Sequence, residues 1–339
     1  MSKTKVGIIN VTGYAGVELS RLLARHPKVT LESVSGRSAA GKELAEVFPH
    51  LAEIDLTVGS ELGEVDIAFS ALPHKESAAE IIPLLKKGVR VIDLSADFRL
   101  NDPAQYPAWY GFDHPSPELL SKAVFGLTEL YRSKITSSQL IANPGCYPTG
   151  AILALAPAIK TGLVDRHFII DSKSGVSGAG RSLSLGTHFA EADENVTAYA
   201  LDGHRHLPEI SQELGKLGSG SAEVTFVPHL IPMTRGILTT AYARLARRIE
   251  PAELRQLYAE FYKDEPFVRV AFAPPHTKHT WGSNLCLVYP SLDVRTNTLI
   301  AVSALDNLIK GAAGQAIQNM NVMLGLDERT GLTATAVWP

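Results

Sequence analysis

Apolar residues follow two rhythms along this chain, and the change between them divides it. Over residues 1–145, short apolar runs alternate with helix-period stretches. Val6-Gly7-Ile8-Ile9-Asn10-Val11 is nearly unbroken, as expected of a strand buried on both faces. After the turn Thr12-Gly13-Tyr14-Ala15-Gly16, leucines at 19, 22 and 23 predict a helix over Val17 to Arg25. Thr30 to Val34 and Val65 to Leu72 predict strands, Glu76 to Lys87 a helix, and the stretch from Gly88 to Ser95 a further strand. Strand, helix and strand in succession predict a right-handed parallel sheet. From Asp165 onward the strands lengthen: Phe168 to Ser172, Ala222 to Pro228, Ile237 to Ala246, Val268 to Phe272, Asn284 to Tyr289 and Leu299 to Ala304. Strands in series with few helices predict a mostly antiparallel sheet in a separate domain.

Two segments fall outside these rhythms. Asn143-Pro144-Gly145 is a turn signal, and Pro148 then sits where a helix can begin. Thr149 to Lys160 continues with helix-period apolar residues, with Pro157 placed to kink or end it. Near the end, Leu305, Leu308, Ile309, Ala312, Ala313, Ala316, Ile317 and Met320 form a helical stripe rich in small residues, suited to packing back on the first domain.

Composition narrows the class of protein. At 339 residues the chain is long enough for about two domains. With 45% hydrophobic residues, 20% charged and a net charge of -3, it has an enzyme-like balance and no basic excess suited to nucleic acid. No apolar run reaches the roughly 18 residues of a membrane helix, and the first residues lack the pattern of a signal peptide. The two cysteines, 146 and 286, argue against a disulfide framework and fit a reducing cytoplasm.

The first strand, Gly-rich turn and helix together are the phosphate-cradling start of a dinucleotide-binding unit. The middle glycine position is Asn10, a residue that tolerates a left-handed backbone. After the second strand, Ser35-Gly36-Arg37-Ser38 offers an arginine flanked by hydroxyls where an NAD site would place Asp or Glu. That suits a 2′-phosphate, hence NADP; the other reading of Arg37 is a solvated loop residue. The fold class is α/β: a Rossmann-like parallel-sheet NADP domain over 1–145, then an α+β catalytic domain with a mostly antiparallel sheet over 146–305. A C-terminal helix over 306–339 packs back on the nucleotide domain.

Cys146 stands at the mouth of the predicted helix, where unpaired N–H groups favour thiolate. It is either a nucleophile or a small hydrophobe in the core. His206, with Glu209 three residues on, supplies a base and a group to orient it. The other reading is a pair of surface histidines, His204 and His206, at a helix start. Zinc is not expected, since no further ligands with metal spacing accompany them. Arg99, after Asp93-Leu94-Ser95-Ala96-Asp97-Phe98, either clamps a substrate anion or pairs with an aspartate. Arg235, in the Pro- and Gly-bounded stretch from Pro228 to Gly236, is a second clamp candidate. The segment from Ser174 to Arg181 is either a source of backbone donors or a flexible connection.

Taken together, these segments resemble the N-acetyl-γ-glutamyl-phosphate reductases, the arginine-biosynthesis members of the semialdehyde dehydrogenase superfamily. The resemblance runs through Thr12 to Gly16, Ala71-Leu72-Pro73-His74, Asp93 to Arg99, Asn143 to Thr149, Gly203 to Glu209, Pro228 to Gly236 and Asp306 to Gln315. Two positions depart from the family pattern: Asn10 replaces a glycine, and Thr128 stands where proline is typical.

The resemblance implies a mechanism and a set of roles. Cys146 thiolate attacks the acyl phosphate and expels phosphate, and hydride from NADPH converts the thioester to the aldehyde, with His206 as acid and base and Glu209 orienting it. It assigns Arg99, His204 and Arg235 to substrate anions, Thr12, Gly13, Tyr14, Ala15 and Gly16 to the pyrophosphate, and Ser35, Arg37 and Ser38 to the 2′-phosphate. Asn307 serves the nicotinamide end. It also implies a homodimer or homotetramer acting on a small acyl phosphate. Two other readings share these residues. One is a reductase of an aminoadipyl or glutamyl phosphate held on a small amino-group carrier protein, in lysine or arginine biosynthesis. The other is a non-catalytic NADP-binding sensor.

Overall fold

The computed structural model describes residues 3–218 and 220–338. Two compact units emerge, one from Met1–Gly145 with Ala312–Thr333, the other from Cys146–Gly311 with Ala334–Pro339.

The first unit is built on six strands: β1 (Thr4–Ile9), β2 (Val29–Ser35), β3 (Ile67–Ser70), β4 (Arg90–Asp93), β5 (Val124–Phe125) and β6 (Leu140–Ala142). They lie in the order β2-β1-β3-β4-β6-β5, every neighbouring pair parallel. Ile67, Ala68, Phe69 and Ser70 are all buried, so β3 needs the unbroken apolar run it has. The helix Tyr14–Leu23 follows β1 and buries Leu19, Leu22 and Leu23. Helix Gly314–Met323 also belongs to this unit, and all ten of its residues are buried. Four of them are Gln or Asn, so burial on every side requires hydrogen bonds on every side. Gln318 Nε2 donates to Glu129 Oε1 and Glu328 Oε2, and Asn321 Nδ2 to the carbonyls of Glu328 and Thr330.

The second unit holds β7 (Val164–Gly175), β8 (Thr197–Ala198), β9 (Glu223–Ile231), β10 (Ile237–Leu245), β11 (Val268–Val270), β12 (Cys286–Asp293) and β13 (Thr298–Leu305). Their order is β11-β12-β13-β10-β7-β9-β8. The pairs β11–β12 and β7–β9 are parallel and the other four antiparallel, making a mixed sheet. The helical stripe expected from Leu305 begins later: Leu305 ends β13, and a π-helical turn Ile309–Ala313 precedes the α-helix.

The Cys146–Lys160 helix is the centre of this unit. Tyr147 to Ile159 are buried without a break, which is why the segment lacks a polar face. It lies against β7, β10, β12 and β13, and against the helices Leu207–Leu217 and Pro251–Phe261. Pro157 neither ends nor interrupts it. Proline removes the N–H that would bond the carbonyl four residues back, that of Leu153. Tyr262 Oη donates to that carbonyl at 2.5 Å, and Tyr258 Oη donates to the next, Ala154, at 2.8 Å. Among the described residues no helix is long and apolar enough to cross a membrane.

Candidate active site

The nucleotide loop forms where β1 meets its helix. Asn10 takes up a left-handed conformation, φ 64°, as its position in the turn demands. Its Nδ2 donates to the Ala71 carbonyl at 2.8 Å, tying the turn to the end of β3. Gly13 caps the helix in extended conformation, and the first helical bond runs from Val17 N to Gly13 O. The amides of Tyr14, Ala15 and Gly16 therefore have no intrahelical acceptor, the arrangement that receives a phosphate. Gly16 is obligatory: a Cβ there would stand 2.5 Å from Asn10 O and 2.7 Å from Val11 Cα. A side-chain-free helix start behind free amides fits a dinucleotide pyrophosphate.

The second strand brings Ser35 and Arg37 to the same edge, with Thr12 Cγ2 placed 3.3 Å from where a Cβ on Gly36 would lie. Ser35 is buried and Ser38 exposed. Arg37 reaches out from a short 3-10 turn and donates to Glu76 Oε2 at 2.9 Å and Glu80 Oε1 at 3.0 Å. Both ion pairs are exposed, so they exchange readily for a phosphate.

Beyond β4, Asp93 is fully buried and accepts from Ser77 Oγ, Ser95 N and Ser95 Oγ. Burial, then the charge of Asp97, raises its carboxyl to about 6. Asp97 accepts from the amides of Lys75 and Ala78, holding the start of helix Ser77–Lys86. Arg99 is 6% exposed, and its guanidinium donates to the carbonyls of Leu94 at 2.7 Å and Asn143 at 2.8 Å. These bonds commit much of it to the main chain at the ends of β4 and β6.

The second unit gathers the reactive groups. Cys146 is the first residue of its helix and is partly exposed, whereas Cys286 is buried in β12. Gly311 passes so close that a Cβ on it would meet Cys146 Cβ at 2.8 Å. Next to the cysteine, Tyr147 is buried against His204, His206 and Phe226, edge to face, with ring centroids 5.7, 5.8 and 5.4 Å away. The two imidazoles lie 4.9 Å apart, and His206 N donates to His204 Nδ1 at 3.1 Å. Tyr147 Oη meets Tyr199 Oη at 3.1 Å and donates to the His229 carbonyl. Burial first, and the charge at Cys146 among the later causes, raises both tyrosine hydroxyls, that of Tyr199 to about 12. They stay protonated around the thiol.

Burial, reinforced by Arg205, holds the His204 imidazole down at about 4. At neutral pH the His204 ring is therefore uncharged. His206 occupies the N-cap of helix Leu207–Leu217, and Glu209 is fully buried in its first turn. Arg235 Nη1 lies 3.7 Å from Asp306 Oδ2. Asn307 Oδ1 accepts from Gly236 N at 2.7 Å and its Nδ2 donates to Ser177 Oγ at 2.9 Å. The segment from Ser174 is no loose connection: the amides of Gly175, Val176 and Ser177 bond the carbonyls of Gly236, Met233 and Thr234. Those three donors are therefore already used.

Cys146, His204, His206 and Glu209 are thus brought to one region of the second unit, as are Arg235 and Asn307 to another turn of it. Thr12 to Gly16, Ser35, Arg37 and Ser38 lie together at the ends of the adjacent strands β1 and β2 of the first. Sequence reasoning missed Tyr199, Phe226 and Gly311. Tyr147 could have been found from its place beside the cysteine, but Tyr199 lies in a stretch without periodicity.

Residues 5–138 match the family model described as semialdehyde dehydrogenase, NAD binding domain, and residues 146–307 match semialdehyde dehydrogenase, dimerisation domain. The fold agrees with that class. Aspartate semialdehyde dehydrogenase II of Vibrio cholerae, solved in complex with ASA, superposes with a TM-score of 0.71 at 16% identity, covering 96% of this chain and 99% of that one. The Candida albicans aspartate semialdehyde dehydrogenase solved with NADP gives 0.69 at 16%, over 95% and 99%. Much closer in sequence is the N-acetyl-gamma-glutamyl-phosphate reductase of Dehalococcoides mccartyi, 58% identical over 100% of both chains. That of Desulforamulus reducens is 51% identical over 99% of both. The chain belongs to the N-acetyl-γ-glutamyl-phosphate reductase family.

Proposed function

We propose that this chain reduces N-acetyl-γ-glutamyl phosphate to N-acetylglutamate semialdehyde and phosphate, an oxidoreductase step of arginine biosynthesis that uses NADPH. The observation that carries the reading is Cys146 at the start of a buried helix, walled by Tyr147, with His204 and His206 against that tyrosine. The Cys146 sulfur attacks the acyl carbon, the bond from carbon to the phosphate oxygen breaks, and a thioester remains. The helix N-terminus stabilises the thiolate that makes this attack and that reforms at the end. NADPH, when bound, supplies the hydride that brings the thioester to the aldehyde level. His206 hands over protons as thiolate and aldehyde are released, and Glu209 fixes its orientation. His204 offers a neutral hydrogen-bonding ring to the substrate, while Arg235 and Arg99 complement its charge.

Tyr14, Ala15 and Gly16 would hold the pyrophosphate through their amides, with Thr12 and Gly13 shaping the turn. Ser35, Arg37 and Ser38 would meet the 2′-phosphate, and Asn307 the nicotinamide end. The enzyme works as a homodimer or homotetramer in the cytoplasm, where two free cysteines persist. Exposed Ile169 and Tyr242 on the adjacent strands β7 and β10 suit contact with a second copy.

The test is the reverse reaction, oxidation of N-acetylglutamate semialdehyde with NADP and inorganic phosphate or arsenate. Rapid NADPH formation is expected. Turnover only with a carrier-protein-bound substrate would overturn the assignment to the free acyl phosphate, and cofactor binding without turnover of either would leave a sensor.

A further inference from the structure

Asn143 follows β6 three residues before Cys146, is 1% exposed, and has all four of its polar groups engaged. Its amide donates to the Asp93 carbonyl at 2.8 Å and its carbonyl accepts from Arg99 Nε at 2.8 Å. Its side chain is held from the other end of the sequence: Asn319 Nδ2 donates to Asn143 Oδ1 at 3.0 Å, and Asn143 Nδ2 donates to the Ala312 carbonyl at 3.1 Å. Asn319 is itself set by Thr128, whose hydroxyl donates to Asn319 Oδ1 at 2.7 Å. Gln315 Nε2 donates to that hydroxyl at 2.9 Å and to the Gly126 carbonyl at 3.0 Å. Thr128, Gln315 and Asn319 are all fully buried.

We propose that Asn143 is a positioning residue for the nucleophile, and that the buried chain Thr128–Asn319–Asn143 sets the register of the segment carrying Cys146. The inference rests on the reading of Cys146 as nucleophile. The passages 143–146 and 311–312 meet at two points. On one side the Asn143 amide ties them through Ala312, and on the other Gly311 packs against Cys146 Cβ with no side chain between. Moving Asn143 therefore moves the start of the catalytic helix. Stability alone does not require this network, because Gln315 Oε1 is buried and has no hydrogen-bond partner among the described residues. Apolar side chains of similar shape would leave no such group. Directional bonds set a register, which apolar packing does not. Thr128 supplies the hydroxyl that sets Asn319. It opens helix Thr128–Ile135, where proline would be accommodated without any hydroxyl to give.

The test uses the full-length protein and two readouts, the rate of Cys146 alkylation by iodoacetamide across pH and the kcat and KM of the reverse reaction. Alkylation needs no substrate, so it separates this proposal from the functional assignment; Cys286, fully buried, stays silent. Asn143→Ala should slow both alkylation and kcat by roughly ten- to a hundredfold while KM changes less than about threefold. Thr128→Val should fall in the same direction and Thr128→Ser, which keeps the hydroxyl, should match the parent; this pair carries the test if Asn143→Ala does not fold. A folded Asn143→Ala protein with unchanged alkylation and kcat, or Thr128→Val indistinguishable from Thr128→Ser, overturns the proposal.

Discussion

The carbonyl oxygen of Asn10 occupies the space that any side chain on Gly16 would need, 2.5 Å from the position of its Cβ. The obstacle is main chain, so a larger residue cannot be absorbed by a rotamer change. Gly16→Ala should displace the turn and weaken NADPH binding at least about tenfold, with fluorescence titration as the measure. Asn10→Gly should behave differently. At φ 64° glycine is at ease, and what is lost is the bond to Ala71 and a long one from Thr12 Oγ1, so affinity should stay within about threefold of the parent. A large loss there would mean that the Asn10 side chain itself serves the cofactor.

Arg37 has two carboxylate partners that compete with a phosphate. Each exposed pair contributes about 0.2–1 kcal/mol, so Glu76→Gln combined with Glu80→Gln should tighten NADPH by roughly two- to thirtyfold at low salt. Arg37→Ala should weaken NADPH far more than NADH. Equal losses for the two cofactors would remove Arg37 from the 2′-phosphate site.

Chemistry should depend on Cys146 and His206 in distinguishable ways. Cys146→Ser should abolish turnover with the fold intact by circular dichroism. His206→Asn should lower kcat at least about a hundredfold if it moves protons in the reaction. A change confined to KM would assign it to binding instead.

The half-buried His204 gives stability a predictable pH dependence. Its folded value, about 4, lies below the ordinary 6.5, so the unfolded chain binds this proton first as pH falls. The contribution is present above 6.5 and is lost between 6.5 and about 4. Its full size is on the order of 3 kcal/mol. Denaturant titrations of the parent and His204→Gln should therefore converge or cross on acidification, the parent losing more. Parallel curves would show that His204 is accessible to protons in the folded state.

Pro157 and Tyr262 should be coupled. Tyr262→Phe leaves the Leu153 carbonyl buried without its donor and should cost about 1–3 kcal/mol. Pro157→Ala restores the helical N–H, so the loss on Tyr262→Phe should shrink in that background. Additive losses in the double-mutant cycle would contradict the compensation.

What was legible in the sequence was local. The dinucleotide turn, the cysteine at a helix start and His206 with Glu209 each depend on residues within a few positions of one another. The parallel sheet followed from unbroken apolar runs, and six strands of the second sheet from their alternation. What escaped was set by distant partners. Arg37 and Glu76 stand 39 residues apart, and Asn143 and Asn319 stand 176 apart. Helix Gly314–Met323 read as a stripe of apolar and small residues; only the buried partners of its glutamines and asparagines show that the helix has no wet side. The neutrality of His204 likewise comes from a cage assembled from Tyr147, Tyr199 and Phe226, which no spacing rule brings together.

The route of the chain has a consequence for dividing it. Residues 314–323 fill the interior of the nucleotide unit, yet they follow the whole of the catalytic unit's contiguous stretch from 146 to 311. A cut between the two stretches therefore takes from residues 1–145 a helix that is part of their own core. The first unit is discontinuous in sequence, so residues 1–145 alone should not fold as an independent nucleotide-binding module.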